Sequence, residues 1–335
     1  MKTLYFLLLF SCYSCAEAQD ISALFEQLDP SVVTIEVTEY KIKDQQVTSS
    51  GGLGSGVIIS SDGLIMTASH VVEFANEVRV KLQNGTSFKA DVLSSSSAAD
   101  VALLKLRSVP PNLQAVKMGE SKTSKIGEQV MIIGAPLGLE HSLSVGYISR
   151  KMSKNMLTNG EMAGFIQTDA SINHGNSGGP MLNMKGELIG IVSFILSQSG
   201  GFEGLGFAVD IDTAKKTLFD VNSFWTGFDG LFLSEGLAGI LNTPQKSGVL
   251  VQRITPNSFA DNIGLKPGLV QGEIFGQKLW LGGDIILSIQ GLSCNAPHDL
   301  GNIKKQIENL KEGDQVLIEI LRKGEVLVLE ASFSN

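Results

Sequence analysis

The residues best suited to chemistry in this chain are one serine, one histidine and one aspartate: Ser177, His70 and Asp100. Ser177 lies in the run Gly175-Asn176-Ser177-Gly178-Gly179-Pro180. Such a run is excluded from a helix interior and makes a poor strand, since glycine loses most backbone entropy on ordering and proline lacks an N–H. Glycines on both sides of a serine permit a strained backbone and a close approach by other groups. A nucleophile needs both, because its hydroxyl must project and N–H groups must point to where an oxyanion will form. The N–H groups of Gly175 and Ser177 are the candidate donors. A Gly-rich hairpin without chemistry has the same composition, so the partner residues must decide.

His70 closes the stretch Leu64-Ile65-Met66-Thr67-Ala68-Ser69-His70, a β-rich run followed by small residues. Asp100 stands at the mouth of the apolar strand Val101-Ala102-Leu103-Leu104-Lys105-Leu106. A lone histidine or aspartate at a strand end is usually structural. All three at the edges of apolar runs form a catalytic constellation. The chain has four histidines, and His141, His174 and His298 lack this setting. Chain order discriminates further. Residues 175–179 satisfy G-x-S-x-G, the nucleophile elbow of α/β-hydrolases, but that fold places serine before acid before histidine. After Ser177 only His298 remains, in a loop-like context, and no strand–elbow–helix pattern surrounds the serine. The order His–Asp–Ser is that of the chymotrypsin-type template.

The elements that must position these residues read as mainly β. Residues 54–64 and 77–106 give short strands broken at Asp62-Gly63 and Asn84-Gly85. Residues 130–134, 145–148, 187–196 and 205–209 read as further strands, which predicts a β-barrel domain. Ile21, Leu24, Phe25 and Leu28 have helical spacing, and Asp29-Pro30 ends that helix. Residues 39–52 are polar and end in Ser49-Ser50-Gly51-Gly52, which reads as a flexible loop. Residues 211–221 have a helical composition and close the first domain, and the composition changes from Phe224.

With 335 residues the chain allows two or three domains with ample apolar cores. A net charge of −8 without a basic cluster argues against nucleic acid as the main partner. No run of eighteen apolar residues occurs, so no membrane span is expected. Residues 1–18 read as a signal peptide: Lys2, a short apolar core over 4–10, and a cleavage site at Ala16-Glu17-Ala18. Leu9-Phe10-Ser11-Cys12 is also a loose lipobox, which would place a lipid anchor on Cys12. After cleavage near Ala18 only Cys294 of the three cysteines survives, so no intrachain disulfide forms. An exported protein without disulfides fits a periplasm.

The segments around His70, Asp100 and Ser177, with Gly204-Leu205-Gly206-Phe207-Ala208-Val209 after them, resemble the HtrA/Deg family of serine proteases over nearly the whole mature chain. The resemblance implies a chymotrypsin-like double β-barrel protease domain at 19–222 and one α+β PDZ domain at 223–335. It implies a serine endopeptidase of protein quality control with no metal or cofactor, and a homotrimer in which Phe25 is either an interface residue or a core staple. Residues 136–142 resemble an activation loop and 150–164 the sensor loop that detects the PDZ domain. Ile195 and Leu196, with Ile172 opposite, correspond to the pocket for the residue before the scissile bond. No acid stands there, so cleavage after small or medium aliphatic residues is expected. The best match to a PDZ carboxylate-binding loop is Thr226-Gly227-Phe228, before a strand over 230–233, with the groove helix over 299–310. Such a domain takes C-terminal peptides as an added strand. Misfolded or unfolded proteins are the implied substrates. The alternatives are a regulatory sensor protease with one narrow substrate, and a chaperone that hardly cleaves.

Two departures from the family pattern stand out. His174 occupies a position where proline is common, which frees φ beside the oxyanion residue. Residues 269–281 intervene where relatives turn almost directly into the Gly283-Asp284 strand, as a surface hairpin or as a remodelled peptide groove.

Overall fold

The computed structural model describes residues 20–43, 46–73, 75–135, 141–155, 162–197, 199–219, 226–296, 299–311 and 313–333. The signal peptide and Cys12 readings, most of the 136–142 loop, and His298 fall outside these residues.

The described chain opens with α1 (Ile21–Leu28). Asp20 caps it by accepting from the N–H groups of Ser22 and Ala23 at 3.0 and 3.2 Å. Pro30 follows in a single 3₁₀ turn. Ile21, Leu24 and Phe25 are partly buried against the main core, and Leu28 is buried within it. Phe25 thus acts as a core staple in the single chain.

Six antiparallel strands then close a barrel: β1 (Val32–Lys43), β2 (Gln46–Ile58), β3 (Leu64–Thr67), β4 (Glu77–Lys81), β5 (Ser87–Ser96) and β6 (Val101–Leu106). Their order around the barrel is β1-β2-β3-β6-β5-β4, and β4 returns to β1. Gly63 and Gly85 take φ of +93° and +81° at the two turns read from sequence. The interior is filled by Ile35, Ile58, Ile65, Val80 and Leu104, all fully buried. The loop expected over 39–52 is instead the arms of a long hairpin, with Glu39 opposite Ser50 and Val37 opposite Gly52. The serines and glycines of one arm have poor strand propensity, but the β-branched arm Val32–Lys43 supplies them a ladder.

A second set comprises β7 (Lys117–Met118), β8 (Gln129–Gly134), β9 (Ser142–Asn155), β10 (Met162–Thr168), β11 (Pro180–Asn183), β12 (Glu187–Ile195) and β13 (Gly206–Asp210). The path β11-β8-β9-β10-β13-β12 closes through a β11–β12 pairing, and β7 adds to β12. Strand β9 runs on to Asn155, so much of the segment read as a sensor loop is ladder. One apolar cluster joins Val57 and Met66 of the first barrel to Met131, Ile133, Leu182 and Ile191 of the second. The barrels therefore share a core, and the strand ends between them face one another.

Helix α3 (Ile211–Phe219) packs its Ile211, Ala214 and Leu218 into that core. The one-turn helix α2 (Ser69–Val72) sits between β3 and β4.

The remaining elements are β14 (Phe228–Phe232), α4 (Glu235–Ile240), β15 (Val249–Ile254), α5 (Phe259–Asn262), β16 (Val270–Ile274), β17 (Gln277–Leu281), β18 (Ile285–Ile289), β19 (Leu292–Ser293), α6 (Asp299–Glu308), β20 (Gln315–Arg322) and β21 (Glu325–Ser332). Their main sheet runs β14-β15-β18-β20-β21, so β14 is an edge strand. Ile303 and Ile307 of α6 are buried in one cluster with Val249, Val251 and Ile318, against which Phe228 and Phe232 pack. The departure at 269–281 is a hairpin, β16 paired to β17.

Candidate active site

The loop carrying Ser177 is held by its own backbone. Asn176 N–H donates to the Asn173 carbonyl at 3.0 Å, Gly179 N–H to Asn176 at 2.9 Å, and Gly178 N–H to Val192 at 2.8 Å. Gly175 and Gly178 have φ of +102° and +83°. A Cβ on Gly178 would fall 2.1 Å from Thr67 Oγ1 and 2.2 Å from the Ser55 carbonyl oxygen, so glycine is required there. Among the described residues, the N–H groups of Gly175 and Ser177 donate to no protein acceptor. They are the two that the sequence marks as oxyanion donors.

His70 comes from α2 and Asp100 from the residue before β6, both in the first barrel. Asp100 has φ of +54°, a left-handed position that aspartate tolerates better than most residues. Its carboxylate faces His70 Nδ1 at 2.9 and 3.0 Å. It also accepts from the His70 backbone N–H at 3.1 Å. This pairing puts the imidazole proton on Nδ1 and leaves Nε2 as the basic atom.

Partial desolvation of the ring, whose side chain is 46% exposed, disfavours its charged form. The hydrogen bond to Asp100 and the charges of Asp100 and Glu73 outweigh that, and the His70 pKa lies above the ordinary histidine value.

Two serines that sequence reasoning passed over belong to the site. Ser193, 2% exposed in β12, donates its hydroxyl to Asp100 Oδ2. Its only sequence signal is a polar residue inside the apolar run Ile191-Val192-Ser193-Phe194. Ser55, fully buried in β2, donates to the Gly175 carbonyl at 2.6 Å. The Ser177 hydroxyl itself donates to the Ser193 carbonyl at 3.4 Å, and among the described residues it makes no hydrogen bond to His70. That long contact is easily exchanged, and catalytic hydrogen bonds commonly tighten only when substrate binds.

Ile172 and Ile195 meet in one cluster with Phe202, and Ile172 Cδ1 lies 2.6 Å from where a Cβ on Gly206 would stand. Leu196 is 51% exposed and lies outside that cluster. His174 is exposed on the loop.

In the second domain, beside α2 and β5 of the first barrel, the Thr226 carbonyl accepts from Ala260 N–H at 2.9 Å and the Gly227 carbonyl from Thr255 N–H at 2.7 Å. Gly227 has φ of +76° and leads into the open edge of β14. A small apolar cavity lies between Thr226, Phe228, Ala260, Leu265 and Ile307. Among the described residues no group of three or more His, Cys, Asp or Glu side chains could hold a metal.

Residues 54–191 match the trypsin-like peptidase domain family and residues 236–332 the PDZ domain family. The chain is 34% identical to a probable periplasmic serine endoprotease DegP-like of Pseudomonas putida strain GB-1, over 93% of this chain and 69% of that protein. A relative of the same description from Pseudomonas savastanoi pv. phaseolicola is 37% identical over 84% of this chain and 56% of its own length. Among solved structures, a variant of the HtrA-type protease AlgW with decapeptide matches at a TM-score of 0.56 and 27% identity, covering 93% of this chain and 96% of that one. Peptidase and PDZ matches on one chain, a double barrel followed by an α+β sheet domain, and kinship along nearly its whole length lead to one assignment: the chain is a serine endoprotease of the HtrA/DegP-like family.

Proposed function

We propose that Ser177, His70 and Asp100 form the catalytic triad. Ser177 attacks the scissile carbonyl, His70 Nε2 takes its proton and returns it to the leaving amine, and Asp100 holds the imidazole and stabilises its charged form. The N–H groups of Gly175 and Ser177 receive the oxyanion, and each such donor is typically worth about 3 kcal/mol of barrier. The observation that carries this reading is the pairing of His70 Nδ1 with Asp100 at 2.9 Å, on the barrel facing a serine loop with two unspent N–H groups. The apolar cluster at Ile172 and Ile195 supports cleavage after small or medium aliphatic residues, with Leu196 at its exposed rim.

The protease domain spans 19–222 and the PDZ domain 223–335 in this reading. Peptide C-termini add to the edge of β14 beside Thr226, Gly227 and Phe228, with α6 flanking them. The protein works as an exported, periplasmic homotrimer on misfolded or unfolded proteins. The relatives' description as periplasmic endoproteases and the peptide-bound neighbour support this reading.

The Ser177 hydroxyl resting on the Ser193 carbonyl favours a second reading, a sensor protease that a bound peptide must engage. The test is purified mature protein and its Ser177→Ala variant with unfolded casein, with and without peptides ending in apolar residues. Cleavage by the wild type alone, without peptide, supports the quality-control reading. Cleavage only with peptide supports the sensor reading. No cleavage under any condition overturns the triad as a working catalyst.

A further inference from the structure

We propose that Ser55 is a positioning residue that fixes the oxyanion hole through the Gly175 peptide; this rests on the roles given above to Gly175 and Ser177. Gly175 sits at φ +102°, where only a glycine is at ease, and a glycine with no tether moves freely between positive and negative φ. Nothing in its own side chain can hold its N–H toward the reacting carbonyl.

The peptide unit that follows Gly175 is instead tied at both ends. Its carbonyl accepts from Ser55 Oγ at 2.6 Å, and its N–H, that of Asn176, donates to the Asn173 carbonyl at 3.0 Å. A change of ψ at Gly175 would have to break the Ser55 bond inside a core where Ser55 is fully buried, so the Cα from which the donor N–H projects is anchored on that side. A buried acceptor left without its donor is costly, so the tether acts as a restraint.

The direction of this hydrogen bond is imposed from the other side. Ser55 Oγ accepts from the Ala135 N–H at 2.9 Å, which occupies a lone pair and turns the single hydroxyl proton toward Gly175. The Ser55 backbone adds two more links: its N–H donates to the Ser177 carbonyl at 2.8 Å, and its carbonyl accepts from Thr67 Oγ1 at 2.8 Å. One residue of the first barrel thereby grips both oxyanion residues, the end of β8, and the strand leading to His70. Of these four contacts a side-chain substitution removes only the two made by the hydroxyl, to Gly175 and from Ala135.

The experiment uses the full mature chain as wild type, Ser55→Ala, Ser55→Thr and Ser177→Ala. Three quantities are read: kcat and KM on an aliphatic peptide substrate, affinity for a peptide boronic acid, and the thermal midpoint. The boronate forms a tetrahedral adduct on Ser177 and so reports the oxyanion site. Peptide affinity is measured separately in Ser177→Ala and Ser55→Ala/Ser177→Ala.

The expected result for Ser55→Ala is a kcat lowered by about ten- to a hundredfold with KM within about twofold, below the loss for deleting an oxyanion donor outright. Boronate affinity should fall by the same factor, peptide affinity in the Ser177→Ala background should hold, and Ser55→Thr, which keeps the hydroxyl, should recover kcat. Equal kcat in wild type and Ser55→Ala overturns the proposal. So does a parallel fall of kcat, peptide affinity and thermal midpoint, or a failure of folded Ser55→Thr to recover. If Ser55→Ala does not fold, Ser55→Cys, of similar size but a weaker donor, is read by the same criteria. An inactive wild type that also fails to bind the boronate would instead strike the catalytic reading beneath it.

Discussion

At the scale of single residues, the charge on His70 governs both activity and stability, with opposite signs. Its pKa is raised, despite partial desolvation, by Asp100 and Glu73, and only the neutral ring can act as base. The acidic limb of kcat/KM against pH is therefore expected above the unperturbed histidine value of about 6.5. Glu73→Gln removes one of the raising charges and should move that limb to lower pH, as a pH profile of both enzymes on one peptide would show. A limb that stays in place would exclude Glu73 as a contributor. The stability that His70 gains from its partners is fully present below its unfolded-state pKa and is lost as pH rises through the folded one. Activity thus switches on where that contribution fades. The residues proposed as the triad stand out in the sequence because each borders an apolar run in a discriminating order. Ser55 and Ser193 do not, since a serine in a strand has no spacing signature and its partners lie 120 and 93 residues away.

At the scale of elements, one buried ion pair ties the turn before β18 to β20 in the second domain. Asp284 is 1% exposed, receives Arg322 Nε and Nη2 at 2.7 Å each, and also accepts from the Lys266 N–H at 2.7 Å. Arg322 Nη2 reaches on to the Gly264 carbonyl at 2.8 Å. These bonds lock the turn before β18 to β20. Removing one partner of such a pair leaves the other uncompensated, at a cost of about 3–5 kcal/mol. Asp284→Ala should lower the thermal midpoint of the PDZ domain while a fluorophosphonate still labels Ser177; unchanged melting would refute the role. Helices α1, α3 and α6 and most barrel strands were readable from periodicity and turn residues. The β1–β2 hairpin was not, because the Ser/Gly arm becomes a strand only through its partner. The 269–281 stretch was left open between hairpin and groove remodelling. It forms a hairpin whose Trp280 is bonded to Gln252 of β15, through Trp280 N–H to Oε1 at 2.7 Å.

At the scale of the whole molecule, β15 joins the two domains. Its Arg253 lies 5.2 Å over the Trp280 ring and pairs with Glu39 of the first barrel at 3.0 Å. Just beyond it Thr255 donates its hydroxyl to the Glu73 carbonyl at 3.3 Å, next to the helix that carries His70. The same strand pairs with β14, the edge strand proposed above to take a peptide. A peptide strand laid on β14 therefore bears on a sheet that touches the catalytic barrel. Among the described residues, these contacts coexist with a Ser177 hydroxyl not bonded to His70, and variants that remove them test whether they hold that arrangement. A partly buried ion pair of this kind, with its side chains 28% and 24% exposed, is taken at about 1 kcal/mol, which corresponds to a shift of about fivefold in a two-state population. Arg253→Ala and Glu39→Ala should each raise peptide-free cleavage by about two- to fivefold and reduce the further gain on adding peptide. The double variant should do less than the sum of the two, because both remove the shared ion pair. Additive effects, or peptide-free activity that stays at the wild-type level, would show that the contact does not set the resting state, and that any peptide signal reaches His70 by another route.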